Sequence, residues 1–275
     1  MTAGSTALLL QIALPVLLFT SSPCPPSVLT LRGGTNAANA PQIDYTKHVL
    51  LPFMRRHFGL ECVDLEIRKR GYFPRGGGEV SVAVSPFFAG GPRERLKGVS
   101  LLTRGRVVSV GGIAHFAGLP AKVGHDMIEG VKQKLGTFSA SGSDLQEIPI
   151  RIDYKRERNE LTTGAGSGIV IWAELEGGGI VGGSALGRKG VDPALVGAEA
   201  AVELIRGLDA GGCVDEVCHL YGFEEQSLNK RFAVVARPNY NFYGTGVRKV
   251  RSEVWSGRFK FTHSVRLVVI LSPSG

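Results

Sequence analysis

Apolar and polar positions change period several times along this chain, and each change marks an element. The first residues, MTAGSTALLLQIALPVLLFTSS, are apolar almost without interruption and carry no charge before Arg32. Val28 to Arg32 reads as a short strand. Tyr45 to Phe58 then shows helical spacing, with Val49, Leu50, Phe53 and Met54 on one side, Arg55 and Arg56 near the end, and Gly59 to close it. Asp64 to Arg70 and Glu79 to Pro86 alternate as half-buried strands do, on either side of the loop Gly71-Tyr72-Phe73-Pro74-Arg75-Gly76-Gly77-Gly78. After a small-residue break at Phe87 to Arg95, a second series follows. It predicts strands at Val99 to Leu102 and Val107 to His115, a helix from Pro120 to Leu135, strands at Ile148 to Tyr154, Ile169 to Leu175 and Gly178 to Ala185, and a helix from Val196 to Leu208. Strands and helices alternate, so the predicted class is α/β or α+β. From Val217 the pattern lapses into scattered aromatics, with one strand-like run from Val265 to Leu271.

The opening apolar run has two readings. A signal peptide or anchor fits its composition, but no Lys or Arg precedes it, and Gln11 and Pro15 interrupt it. A helix buried in a larger domain fits equally well. Elsewhere composition is that of a folded protein, with 43% hydrophobic and 20% charged residues. The 38 glycines are roughly twice the usual share. They follow no three-residue period, which excludes collagen, and they cluster in short runs that suggest tight loops. Four cysteines in 275 residues make no disulfide scaffold and point to a reducing compartment. Of the 32 basic residues nine lie in 217–275, against three of the 24 acidic ones, so most of the +8 net charge sits in the tail. The body is nearly neutral, and bulk charge says little about nucleic acid.

Several motifs fail on inspection. Gly182 to Gly187 has the glycine spacing of a P-loop, but Arg188 and Lys189 stand where Lys and Ser or Thr are required. Gly164-Ala165-Gly166-Ser167-Gly168 reads as a flexible loop. Cys213 and Cys218-His219 lack a second pair at metal-ligand spacing, so no metal site is expected from them. Two glycine-rich motifs carry more. In Arg32-Gly33-Gly34-Thr35-Asn36, bare backbone leaves room for an anion beside the side chains of Arg32, Thr35 and Asn36; a turn capped by Asn36 is the plainer alternative. In Arg75-Gly76-Gly77-Gly78-Glu79, an arginine beside glycines could hold a phosphate; a glycine turn feeding a strand explains it as well.

Together with their surroundings these motifs resemble a known family. The segments TAGSTALLLQIALP, LRGGTNAANAPQIDY, RKRGYFPRGGGEV and GGSALGRKGVDPALVGAEAAVELI are similar to RNA 3′-terminal phosphate cyclases, over Thr2 to about Glu216. The resemblance makes the opening run an internal core helix. It implies repeated units of two helices on a four-stranded sheet, interrupted by a small α/β insert domain. It also implies an enzyme that uses ATP and a divalent metal (Mg or Mn) to adenylylate a histidine. AMP then passes to an RNA 3′-phosphate end, and the adjacent 2′-hydroxyl displaces it to form a 2′,3′-cyclic phosphate. By position, Gln11 and Pro41 match nucleotide-contacting positions, the first as a hydrogen-bonding partner and the second as an apolar wall. Arg32, Asn36 and Arg75 are candidate phosphate or RNA contacts. Pro74-Arg75 favours the catalytic branch over the non-catalytic cyclase-like factors of ribosome biogenesis, which are the alternative reading. The implied setting is intracellular, nucleoplasm or cytoplasm, without membrane attachment or secretion.

The chain departs from that pattern in two places. The family's glycine-rich first unit is not present before Thr2. After Val214-Asp215-Glu216 the adenosine-contacting stretch is replaced by Val217-Cys218-His219-Leu220, and no nucleophile block is recognisable; His219 and His263 lack its context. A gene-model error such as intron read-through would produce both. The expected organisation is therefore 1–91 in the cyclase domain, 92–195 as the insert, 196–216 back in the cyclase domain, and 217–275 as a divergent basic tail. As it stands, the chain is expected to be inactive.

Overall fold

The computed structural model describes residues 4–18, 26–37, 40–86, 101, 103–140 and 148–215, and the backbone of four short strands between 223 and 248. Helix α1 (Thr6–Leu18) turns Ala7, Leu10, Ala13, Leu14 and Leu18 inward against β1 (Ser27–Gly33) and β3 (Gly78–Val84). Its start is fixed by Thr6, whose backbone N–H and hydroxyl both donate to the Gly34 carbonyl at 2.9 and 3.1 Å.

The helix predicted at Tyr45 to Phe58 is one continuous rod in three parts: α2 (Ile43–Tyr45), a π-helical turn (Thr46–Leu50) and α3 (Leu51–Phe58). The widened turn lies just before Pro52, which cannot donate to the His48 carbonyl and would crowd it in an ordinary α-helix. Gly59 ends the rod in the left-handed conformation at φ 67°, donating its N–H to Arg55.

Two mixed four-stranded sheets complete the described body. The first has the order β1-β3-β2-β6, with β2 (Val63–Gly71) antiparallel to β3 and parallel to the two-residue β6 (Thr162–Thr163). The second has the order β5-β4-β7-β8, from β4 (Val107–Ala117), β5 (Ile150–Arg156), β7 (Gly166–Leu175) and β8 (Ile180–Leu186). Here β4 and β5 are parallel and the other pairs antiparallel. The class is thus α+β, each sheet flanked by two helical rods, as the resemblance implied.

The second sheet is covered on both faces. Ile169, Ile171 and Ala173 of β7 join Met127 and Val131 of α4 (Lys122–Ala140) and Val196, Ala200 and Leu204 of α5 (Pro193–Asp209) in one core. Val170 points the other way, into the core shared by Leu10, Phe53, Leu29 and Val82. Burial on both faces explains why Gly166 to Leu175 reads as a nearly continuous apolar run. Helices α4 and α5 touch through paired glycines: a Cβ on Gly130 would strike the Ala194 carbonyl, and one on Gly197 the Met127 carbonyl. Asp192 caps α5, accepting from the Ala194 N–H at 3.0 Å. In the tail, β9 (Phe223–Leu228) pairs with β10 (Arg231–Ala236), and β11 (Asn241–Tyr243) with β12 (Gly246–Arg248). The break at Phe87 to Arg95, the strand predicted around Val99 (except Leu101), and Val265 to Leu271 fall outside the described residues.

Candidate functional site

The two glycine-rich motifs, more than forty residues apart, lie side by side because β3 runs between β1 and β2. Arg32 and Gly33 stand opposite Glu79 and Gly78 in the first sheet. A Cβ on Gly71 would collide with the Gly78 nitrogen and the Gly76 and Gly33 oxygens, so three strand ends meet backbone to backbone. Several of the N–H groups here are spoken for within the protein. Gly34 donates to Gly4, Thr35 and Asn36 donate to Gly71, and Gly76 donates to Tyr72. The Thr35 hydroxyl accepts the Gly71 N–H at 3.0 Å.

Behind this junction a buried polar cluster links the two sheets. Arg70, at the end of β2, donates from Nη1 and Nη2 to the two Asp44 oxygens at 2.6 and 2.7 Å and from Nε to Glu157 at 2.7 Å. Gln42 accepts from Asn36 at 3.0 Å and donates to the Ile169 and Ala185 carbonyls across β7 and β8. His115, on β4, is fully buried between Tyr72, 2.9 Å from Nδ1, and Gln42, 3.1 Å from Nε2. Burial, reinforced by the Arg70 charge and opposed by Asp44, pushes the His115 imidazole down to about 3, so it is neutral. Its Nδ1 faces the Tyr72 hydroxyl, and its Nε2 faces the Gln42 oxygen at 3.1 Å, the Asn36 amide nitrogen at 3.3 Å and Asp44 at 3.5 Å. Burial opposes charge on Asp44, yet Arg70, bonded to both its oxygens, holds its carboxyl well below the usual range. Burial raises the Tyr72 hydroxyl, keeping it protonated.

The residues singled out in the sequence fall in different settings. Asn36 is in the cluster, 1% exposed. Arg32 is exposed and paired with Glu79 at 2.8 Å. Arg75 is exposed on the loop between β2 and β3. Gln11 is half-buried on α1, and Pro41 half-buried just ahead of α2. The described histidines are engaged: His48 stacks on Trp172 with ring centroids 5.4 Å apart, His57 lies 2.8 Å from the Gly178 carbonyl, and His125 packs on Tyr154. His219 and His263 lie outside the described residues. Among the described residues no group of three or more His, Cys, Asp or Glu side chains could hold a metal ion, and no helix is long and apolar enough to cross a membrane.

Sequence reasoning did not single out Gln42, Asp44, Arg70, Tyr72 or His115. The available signal was weak: Arg70 lies at the end of an alternating strand and Asp44 at the start of a helix, both ordinary surface placements.

Comparison with known proteins gives a consistent answer. A profile of the RNA 3′-terminal phosphate cyclase family matches residues 1–221. The RNA 3′-terminal phosphate cyclase of Pyrobaculum aerophilum is 38% identical over 214 residues, which cover 78% of this chain and 56% of that protein. The namesake protein of Staphylothermus marinus is 35% identical over 218 residues, with the same two coverages. That of Thermococcus kodakarensis is 36% identical over 214 residues, covering 78% of this chain and 55% of that protein. The chain therefore spans little more than half the length of these curated relatives. The profile match, the identities and the α+β architecture agree, and the chain belongs to the RNA 3′-terminal phosphate cyclase family.

Proposed function

We propose that this chain is the portion of an RNA 3′-phosphate cyclase that carries part of its nucleotide and RNA contacts. The whole protein would convert an RNA 3′-phosphate into a 2′,3′-cyclic phosphate with ATP and Mg or Mn, through adenylylated intermediates. The family match over residues 1–221 carries this reading. Gln11, half-exposed on α1, would bond to the nucleotide, and Pro41 would wall it. Arg32 and Arg75, both exposed, would meet phosphates through their side chains. Asn36 would act from within, holding Gln42 and His115 in place behind the surface.

Of the described residues, Gln11 and Pro41 suit contacts to ATP. Attack on its α-phosphorus needs a histidine nitrogen open and in line with that atom; His115 is fully buried with both nitrogens facing side chains, and His57 lies 2.8 Å from the Gly178 carbonyl. No step through ATP is therefore assigned to them. The test is to incubate the full-length gene product with ATP, Mg or Mn and an oligoribonucleotide ending in a 3′-phosphate. The reading expects that end to become resistant to phosphatase and sensitive to acid. Persistence of a phosphatase-sensitive end would refute it, and RNA binding without conversion would favour the non-catalytic cyclase-like alternative.

A further inference from the structure

The loop between β2 and β3 presents an aromatic ring to solvent from a backbone that is tied at Tyr72, Gly76 and Gly77. Phe73 is 67% exposed, the highest value among the large exposed hydrophobic residues described. Its neighbours face inward. Tyr72 is 4% exposed and bonded to His115, the Gly76 N–H closes the loop onto the Tyr72 carbonyl at 2.9 Å, and the Thr163 hydroxyl donates to the Gly77 carbonyl at 3.1 Å. Exposing so large an apolar side chain costs solvation free energy, and a pinned loop offers it no interior alternative.

What surrounds Phe73 says which kind of contact the ring suits. Arg75 is exposed on the same loop, and its side chain lies along Gly164, where a Cβ would sit 3.3 Å from the Arg75 Cδ. The segment ending in β6 runs beside this loop, because Thr162 and Thr163 pair with Arg70 and Gly71. That segment brings two further exposed arginines, Arg156 and Arg158. None of the three arginines has an ion-pair partner among the described residues. The acid between Arg156 and Arg158, Glu157, is turned inward to Arg70, which leaves Glu160 as the exposed acid of the stretch.

We propose that Phe73 and Arg75 form a platform for single-stranded RNA, a base stacking on the ring while Arg75, with Arg156 and Arg158, meets the neighbouring phosphates. A ring flanked by guanidinium groups suits an unpaired strand, whose bases have open faces; a duplex hides those faces within its own stack. This inference rests on the reading above that the chain takes RNA ends. It adds that the strand leading to the end is gripped here, whatever the chemistry of the end itself.

The experiment is fluorescence anisotropy of the chain with a short single-stranded oligoribonucleotide labelled at its 5′ end, prepared with either a 3′-phosphate or a 3′-hydroxyl. Phe73→Ala should weaken binding at least about fivefold for both ends. Phe73→Trp should retain binding, and the emission it adds should be quenched by single-stranded but not by blunt duplex RNA. Arg75→Ala should weaken binding and lower the slope of log affinity against log salt by about 0.7. Circular dichroism of each variant should match the parent, since Phe73 and Arg75 are exposed. Unchanged affinity of Phe73→Ala, or unquenched emission in F73W, would overturn the platform while leaving RNA binding intact. Absence of any RNA binding by the parent chain would overturn the platform and the broader reading together.

Discussion

Arg70 and Asp44 form a two-pronged ion pair, 2.6 and 2.7 Å between nitrogen and oxygen, with side chains only 3% and 1% exposed. It joins the end of β2 to the start of the helical rod that runs between the two sheets. Because both charges are dehydrated, the pair is expected to matter most when half of it is removed. Asp44→Asn or Arg70→Met should each lower stability by about 3–5 kcal/mol in urea denaturation. The double variant should cost less than the two single losses combined, since Asp44 and Arg70 no longer leave each other unpaired and Glu157 keeps Lys155 at 3.2 Å. Additive losses would show that the two groups act independently.

Acid should destabilise the protein through the same cluster. The His115 imidazole titrates near 6.5 when unfolded and at about 3 when folded. Between those values the unfolded chain binds a proton that the folded one refuses, so stability falls as pH drops from 6.5 toward 3. Asp44 is also held below its unfolded value of 3.8, and it adds to the loss once pH falls past that value. Urea midpoints at a series of pH values would reveal the slope. In His115→Gln it should flatten between pH 6.5 and 4, and an unchanged slope there would assign it to other groups.

The paired glycines between α4 and α5 allow an approach that no side chain permits. Gly130→Val or Gly197→Val would place a methyl group against a backbone carbonyl of the other helix, which can yield only if the helices part. Each should cost roughly 1–3 kcal/mol or more. Gly136→Val is the control for helix propensity, because nothing lies within 4 Å of a Cβ there. Equal losses at Gly136 and Gly130 would remove the packing explanation.

The same contact bears on the insert expected at 92–195. We propose that limited proteolysis releases a folded fragment whose second boundary lies beyond Asp209, because α5 packs on α4 and β8. Cleavage near 195 would instead leave α5 with the remainder, as the break in composition suggested. Mass spectrometry of the protected fragment distinguishes the two.

Self-labelling separates family chemistry from the competence of this chain. With α-labelled ATP and divalent metal, the 275-residue chain is expected to take up no AMP, and a full-length cyclase of the family to take it up. Acid-labile, alkali-stable label on the short chain would refute this, and His219→Ala and His263→Ala would then locate it.

Much of the fold was legible because burial is periodic. The alternation of Asp64 to Arg70, the spacing of Val49, Phe53 and Met54, and the glycine after Phe58 each follow from one residue's relation to its near neighbours. The π-helical turn at Thr46 to Leu50 was not, although Pro52 was visible, because the same proline also suits the first turn of a new helix. The two-residue β6 was equally hidden: Thr162-Thr163 is a strand only because the end of β2 lies beside it.

The sequence by itself determined a mixed α and β class, most of the order of its elements and the resemblance to the family, since local pattern and residue identity carry that information. The tertiary structure alone decided that Arg70 and Asp44 are interior, that His115 from a different sheet completes their cluster, and that Phe73 faces water while Tyr72 beside it does not. Those facts depend on which surfaces meet after the strands have paired. A charged residue at a strand end, or an aromatic in a glycine loop, reads the same whether another sheet covers it or leaves it bare.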